Sequence, residues 1–234
     1  MPPPVTLSAA AVPVHLRVIL GYSGIPPLDQ IASDVVREDY KPAFDSVNIE
    51  SGSIRFRGQA RSMQLTPRAA FLSGAGDPLG GPLINTAFSI LRAAKVDRIV
   101  QFSPTIYFAV GIQGESLEDL VQEHVALLKH PTFNIGSLGK IVDTAVVLRF
   151  VNDAGPVVNC QYGPMGQKQW VTFGGPEAVA IESSLPPVSW GIGFFYEGSV
   201  HTVNMSLEEA RVHLIVRVKN WWAIASGFFS EGLE

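Results

Sequence analysis

The sequence predicts an α+β fold, with strands and helices mixed in the first half and an antiparallel β meander closed by a long C-terminal helix in the second. Three observations carry this expectation. The stretch 140–153 has the strongest strand pattern in the chain. Before it, helical periodicities alternate with strands. After it, short strand patterns separated by Gly, Pro and Asn follow closely, as antiparallel pairing requires, and end in one long amphipathic helix.

Residues 1–12 are rich in proline and alanine and read as an N-terminal arm. Val14, Leu16, Val18 and Leu20 then alternate with His15, Arg17 and Ile19 as a first strand. Leu28, Ile31, Ala32, Val35, Val36 and Tyr40 recur at helical spacing, with Pro42 as a stop. Strands are expected at 47–49, 53–59 and 68–72, with Glu50-Ser51-Gly52 as a bend. A glycine-rich loop, Gly74 to Gly81, separates the last of these from a helix carrying Ile84, Ala87, Phe88, Leu91 and Ala94. The loop lacks the spacing of a dinucleotide fingerprint and a terminal Gly-Lys-Ser/Thr. Asp77 and two prolines also disfavour phosphate, so an ordinary turn is expected.

Two strands, 98–102 and 105–112, are predicted to be split at Pro104. Ser116 caps a third helix with Leu117, Leu120, Val121, Val125 and Leu128 on its apolar stripe. His124 lies on that stripe and is expected to be packed, with one hydrogen bond.

The 140–153 strand is expected to be central, with Val142, Val146, Leu148 and Phe150 on a buried face and Asp143 and Arg149 on the other. Further strands are expected at 157–162, 169–173, 178–183, 190–197 and 200–203. Ser206 and Glu209 form a capping box for the last helix. Its stripe runs through Leu207, Leu214, Val218, Trp221, Ala225 and Phe228. The expected division is an arm, 1–12, a mixed α/β subdomain, 13–135, and a sheet-plus-helix subdomain, 136–234, meeting near Gly136–Gly139.

Composition narrows the function classes. Charged residues make up 16% of the chain against a hydrophobic 47%, well below the roughly 25% charged residues of ordinary globular proteins. Such a charge-poor chain suggests either that a large fraction of its residues is internal or that apolar surface is covered by another chain. The net charge of −4 argues against a broad nucleic-acid footprint. Arg55, Arg57, Arg61 and Arg68 are the only loose basic cluster. The single cysteine, Cys160, excludes an intrachain disulfide and a cysteine-built zinc site. The N-terminus lacks the plan of a signal peptide, and no run is long enough to span a membrane, so a cytoplasmic location is expected.

No Walker motif, nucleophile elbow or zinc-protease motif is present, and the five histidines are scattered. No catalytic residue, cofactor or metal site is therefore predicted. Trp221, Trp222, Phe228 and Phe229 are the candidate interface anchors, because paired aromatics near a helix end suit a contact between subunits. A meander closed by a helix can also enclose an apolar pocket. Arg149, Trp190, Tyr196 and His201 are the candidate lining residues.

Several strings carry a resemblance. These are Arg68-Ala-Ala-Phe71-Leu-Ser73-Gly-Ala-Gly-Asp77, then Ile99-Val-Gln101-Phe102 followed by Tyr107-Phe108-Ala109, the helix from Leu117, and Leu148-Arg149-Phe150-Val151-Asn152. Taken in order, the chain resembles a sporadically distributed, functionally uncharacterised bacterial family of similar length. Gly80 to Lys95 is an insertion against that family's pattern, and an aspartate-rich strand before the last helix is missing. The resemblance implies no catalytic residues. The leading expectation is a non-enzymatic interaction or assembly protein, homo-oligomeric or bound to another protein. The alternatives are a small-molecule binder or enzyme with an apolar pocket under the C-terminal helix, and a structural component of a phage or other large particle.

Overall fold

Alternating apolar side chains in the central strands create one face that must be covered, and the fold is built around that need. A computed structural model describes residues 6–7, 11–37, 40–76, 82–113, 116–128, 145–151, 156–197 and 201–227. Its strands are β1 (Thr6–Leu7), β2 (Val12–Tyr22), β3 (Ser46–Glu50), β4 (Ser53–Arg57), β5 (Arg61–Leu65), β6 (Ala69–Gly74), β7 (Arg98–Gln113), β8 (Val146–Phe150), β9 (Val158–Gly166), β10 (Val188–Tyr196) and β11 (Thr202–Ser206). All pairings are antiparallel, in the order β3-β4-β5-β6-β2-β7-β10-β9-β8, with β1 and β11 also on β7. The α+β class and the long final helix are as the sequence predicts.

One face of the sheet carries Leu16, Val18 and Leu20 of β2, Phe102, Ile106 and Phe108 of β7, and Ile192 and Phe194 of β10. Helices α1 (Leu28–Arg37), α2 (Leu83–Ala93) and α6 (Leu207–Gly227) pack on it, with α3 (Leu117–Leu128) over β9. Leu214, Val218, Trp221 and Ala225 supply the buried stripe of α6. Its capping box forms as expected: Ser206 N donates to Glu209 Oε2 at 2.7 Å, and Glu209 N to Ser206 Oγ at 3.2 Å. Ser116 Oγ likewise accepts from Asp119 N at the start of α3. No helix among the described residues is long and apolar enough to cross a membrane.

Several elements differ from expectation. The 140–153 strand reduces to β8, and residues 141–144 lie outside the described set. It is no central scaffold. β8 pairs only with β9 in the described sheet, and Val147, Phe150 and Val151 are 56%, 53% and 69% exposed. Its β-branched run records a preference for extended backbone, which an edge satisfies as well as a centre. Residues 61–65, expected as connection, form β5.

β7 is one continuous strand through Pro104. Phe102 N donates to His201 O, so the nitrogen of residue 104, two positions on, faces the same flank. On that flank β10 pairs from Thr105 onward and β11 from Gln101 backward. The missing donor falls opposite Tyr196, the last residue of β10, so only the terminal bond of that ladder is forfeited.

Residues 169–173 and 178–183, expected as strands, are helical: α4 (Gln167–Gly174), α5 (Pro176–Val179) and a 3-10 turn (Glu182–Ser184). Trp170 and Gly174, four apart, share the buried side of α4, and tertiary packing overrides the local β preference of Trp-Val-Thr-Phe. Gly166 N donates to Gln169 Oε1 at 2.7 Å, which satisfies an orphan donor at the helix start.

The boundary expected at 136–139 lies outside the described residues. The β7–β10 pairing joins the two halves in one sheet, and the covered core draws on both. Part of the N-terminal arm is bound within the chain: Thr6 and Leu7 pair with Gln113 and Ile112, and Trp222 Nε1 donates to Ala11 O at 2.9 Å.

Candidate functional site

Among the described residues, the opposite face of the sheet is covered at one corner only. There α4 and α5 sit on Val14, Ala109 and their neighbours, with Trp170, Ala178 and Leu185 buried between. A register shift in β2 between Pro13 and His15 lets Val14 and His15 both contribute under this roof. The roof is pinned by polar contacts. Trp170 Nε1 donates to Ser189 Oγ at 2.8 Å, which in turn donates to Met165 O at 3.1 Å. Gln167 Nε2 donates to Glu182 O at 2.7 Å and tethers the turn that follows.

Beside α4 lies a cavity of about 500 Å³. Its floor is a depression made by glycine. Across the strands, Ala109 stands opposite Gly191 and Gly191 opposite Gly163, while Tyr107 stands opposite Gly193 and Gly193 opposite Gln161. A Cβ on Gly193 would lie 2.1 Å from Tyr107 Cε1, and one on Gly191 would lie 2.8 Å from Met165 Cγ and 2.9 Å from Trp170 Cζ2. The aromatic rings therefore lie directly on bare backbone. Trp170 and Phe173 form the helix wall, and Phe173 meets Tyr107 edge-on with centroids 4.6 Å apart. Polar groups are few: Lys168 and Thr172 from α4, the Gln161 and Gln169 amides and the Tyr107 hydroxyl. Burial holds the Tyr107 hydroxyl above its ordinary value, opposed by nearby Arg17. Among the described lining residues there is no carboxylate and no imidazole, and what they offer is flat apolar surface with an ammonium at the rim.

His15 lies next to the cavity row, opposite Tyr107, and packs edge-on against Phe173 at 6.0 Å. Neither ring nitrogen has a hydrogen-bond partner. Burial, helped by Arg17 and opposed by Glu177, pushes its pKa down to about 4, so the ring is neutral at neutral pH. His124 is likewise buried, with its pKa lowered by burial. It rests against Trp190 and Tyr162 and lacks the hydrogen bond expected of it.

No protein-family model and no curated protein sequence matches this chain.

The residues singled out in the sequence scatter. Arg149 is at the β8 edge, bonded to Glu197 through Nε at 2.8 Å. Trp190 stacks under α3 against His124 at 5.1 Å. Tyr196 is buried, its hydroxyl 3.4 Å from His213 Nε2, with the His201 ring edge-on at 5.5 Å. None of these four lines either cavity of the open face, and beneath α6 lie the buried side chains of Leu214, Val218 and Trp221. Trp221 is 3% exposed and stacked on Phe194 at 5.6 Å. Trp222 is half-buried, bonded to Ala11. Trp221 is thus used inside its own chain, while Trp222 keeps part of its surface open. Phe228 and Phe229 lie outside the described residues, as do residues 77–81 of the Gly74–Gly81 loop. Cys160 is buried, and burial pushes its thiol up to about 11, consistent with the inert role expected. Among the described residues no group of His, Cys, Asp and Glu could hold a metal.

The cavity did leave a trace in the sequence. Gly191 and Gly193 alternate with Trp190, Ile192 and Phe194. Glycine at every second position of a strand marks a surface that something approaches closely.

Proposed function

We propose that this protein binds a small, flat, largely apolar ligand in the cavity between α4 and the glycine floor of β9 and β10. The carrying observation is the join of bare backbone at Gly163 and Gly191 to aromatic walls at Trp170 and Phe173 in a space of about 500 Å³, within the usual range of ligand pockets. Lys168 at the rim favours a ligand with an acidic group. This places the site on the face opposite the C-terminal helix. A cytoplasmic location and a non-catalytic role remain part of the proposal.

The test uses an anionic aromatic fluorophore, 1-anilinonaphthalene-8-sulfonate, titrated into the full chain. One-to-one saturable binding with quenching of Trp170 emission is expected. Thr172→Trp, which adds bulk at an exposed cavity position, should weaken binding at least about tenfold, the equivalent of about 1.4 kcal/mol. Unchanged affinity in that folded variant sinks the reading, as does an absence of saturable binding by the wild type.

A second reading is self-association through β8, in keeping with a homo-oligomeric interaction protein. The apolar, exposed edge supports it, since natural edge strands are usually blunted by charge or bulges. Sedimentation velocity at micromolar concentration should then show a dimer that Phe150→Lys abolishes. A strict monomer removes this reading.

A further inference from the structure

The uncovered part of the same sheet face bears a second cavity, of about 630 Å³, over β4, β5, β6 and β2. The register places its side chains in two rows. One reads Arg57, Ser62, Ser73, Arg17, Thr105, and the other Arg55, Gln64, Phe71, Ile19, Ser103. Arg57 and Arg17 are three strand spacings apart, about 14 Å at the backbone. Their long side chains can close on an anion between them. Arg55 is two residues from Arg57 on the same face, about 7 Å away. Phe71 lies between the arginines and is 43% exposed, an open aromatic surface within a ring of donors.

The charges have a definite balance. Glu50 pairs with Arg55 at 3.5 Å. Glu177 of α5 reaches over the row and accepts from Ser62 Oγ at 2.7 Å. Arg17 and Arg57 form no ion pair with a carboxylate among the described residues. The row thus already holds one oxyanion, supplied by the chain itself, and keeps two guanidinium groups free beside it. Guanidinium is the group best matched to phosphate, through paired N–H donors, and it also stacks on flat rings.

We infer that this groove is a binding site for a small phosphorylated ligand with a planar ring, of the nucleoside-diphosphate class. The phosphates lie between Arg17 and Arg57 and the ring on Phe71. The net charge of −4 gives the molecule no long-range attraction for a polyanion, so a local cluster of this size suits a small phosphate rather than a nucleic-acid strand. Glu177 limits affinity by occupying Ser62. This inference is independent of the aromatic cavity, which can be occupied or empty without affecting it.

Isothermal titration calorimetry of the full chain at low ionic strength tests it with ADP, adenosine, pyrophosphate and a single-stranded oligonucleotide. ADP should bind measurably, pyrophosphate more weakly and adenosine at least about tenfold more weakly, since each charged hydrogen bond lost costs roughly that factor. Arg57→Lys and Arg17→Ala should each lower ADP affinity about tenfold without moving the melting temperature, because both side chains are exposed. Glu177→Gln should raise affinity, an effect opposite in sign that a merely structural role does not produce. No heat with ADP at millimolar concentration overturns the inference. So does wild-type ADP affinity in the two arginine variants, or an oligonucleotide that binds far more tightly than ADP.

Discussion

The two faces of this sheet are built from the same strands and have opposite characters. On the covered face every second residue of β2, β7 and β10 is a large apolar side chain, sealed by α1, α2, α3 and α6. On the other face arginine, serine, threonine, glutamine and glycine stand among a few apolar residues such as Ile19, Phe71 and Tyr107, and among the described residues only α4 and α5 shield a corner. The covered face holds the fold, since each fully buried large side chain is worth about 1.5–3 kcal/mol. The open face contributes little to stability and is therefore free to carry recognition. Period-two alternation lets one sequence satisfy both demands.

The contrast can be attacked on either side. Trp221→Ala on the covered face should destabilise the protein by about 3–5 kcal/mol, as large-to-small changes in a filled core do. Urea unfolding measures this, and a loss under about 1 kcal/mol would mean that α6 is not part of the main core. On the roofed corner of the open face, His15 makes the protein acid-sensitive. Its folded pKa of about 4 lies below the ordinary imidazole value of 6.5, so the unfolded state binds the proton more readily. The stability that goes with a neutral ring is complete above about pH 6.5 and is lost as pH falls toward 4. His15→Leu should shrink that loss by up to about 3 kcal/mol, read from unfolding free energies at pH 7 and pH 4. Parallel profiles for wild type and variant would contradict it. Gly193→Ala should cost about 1–3 kcal/mol by overpacking against Tyr107. Replacing Tyr107 by Ala in the same chain should cancel most of that cost, and if the two effects simply add, the ring does not lie on Gly193.

Much of the frame was legible in the residues. The N-cap at Ser116, the capping box at Ser206, the amphipathic stripes of α1, α2 and α6, and the alternation in β2 are local patterns, and local patterns survive folding. What was missed depends on partners distant in sequence. The strand pattern of 140–153 says that the backbone is extended, not what lies on either side, so β8 was expected at the centre and stands at the edge. Trp170 has strand preference by type, but its place is set by a hydrogen bond to Ser189 and by the need to roof Ala109. Arg55 and Arg57 were noticed as a pair, whereas Arg17 joins them only because β2 follows β6 in the sheet. Tyr196 and His201 do meet, yet in the core rather than in a pocket.

Pro104 acts as a gate on misfolding. Moving β10 along β7 by one residue would turn its aromatic side chains to the wrong face. Moving it by two, toward Gln101, would set Phe194 rather than the terminal Tyr196 opposite the nitrogen that has no hydrogen to give, so the missing bond, worth roughly 1 kcal/mol, would fall inside the ladder instead of at its end. A single imino acid in the longest strand thereby selects among alignments that would otherwise be close in energy, and it fixes which glycines face Tyr107 before any ligand arrives.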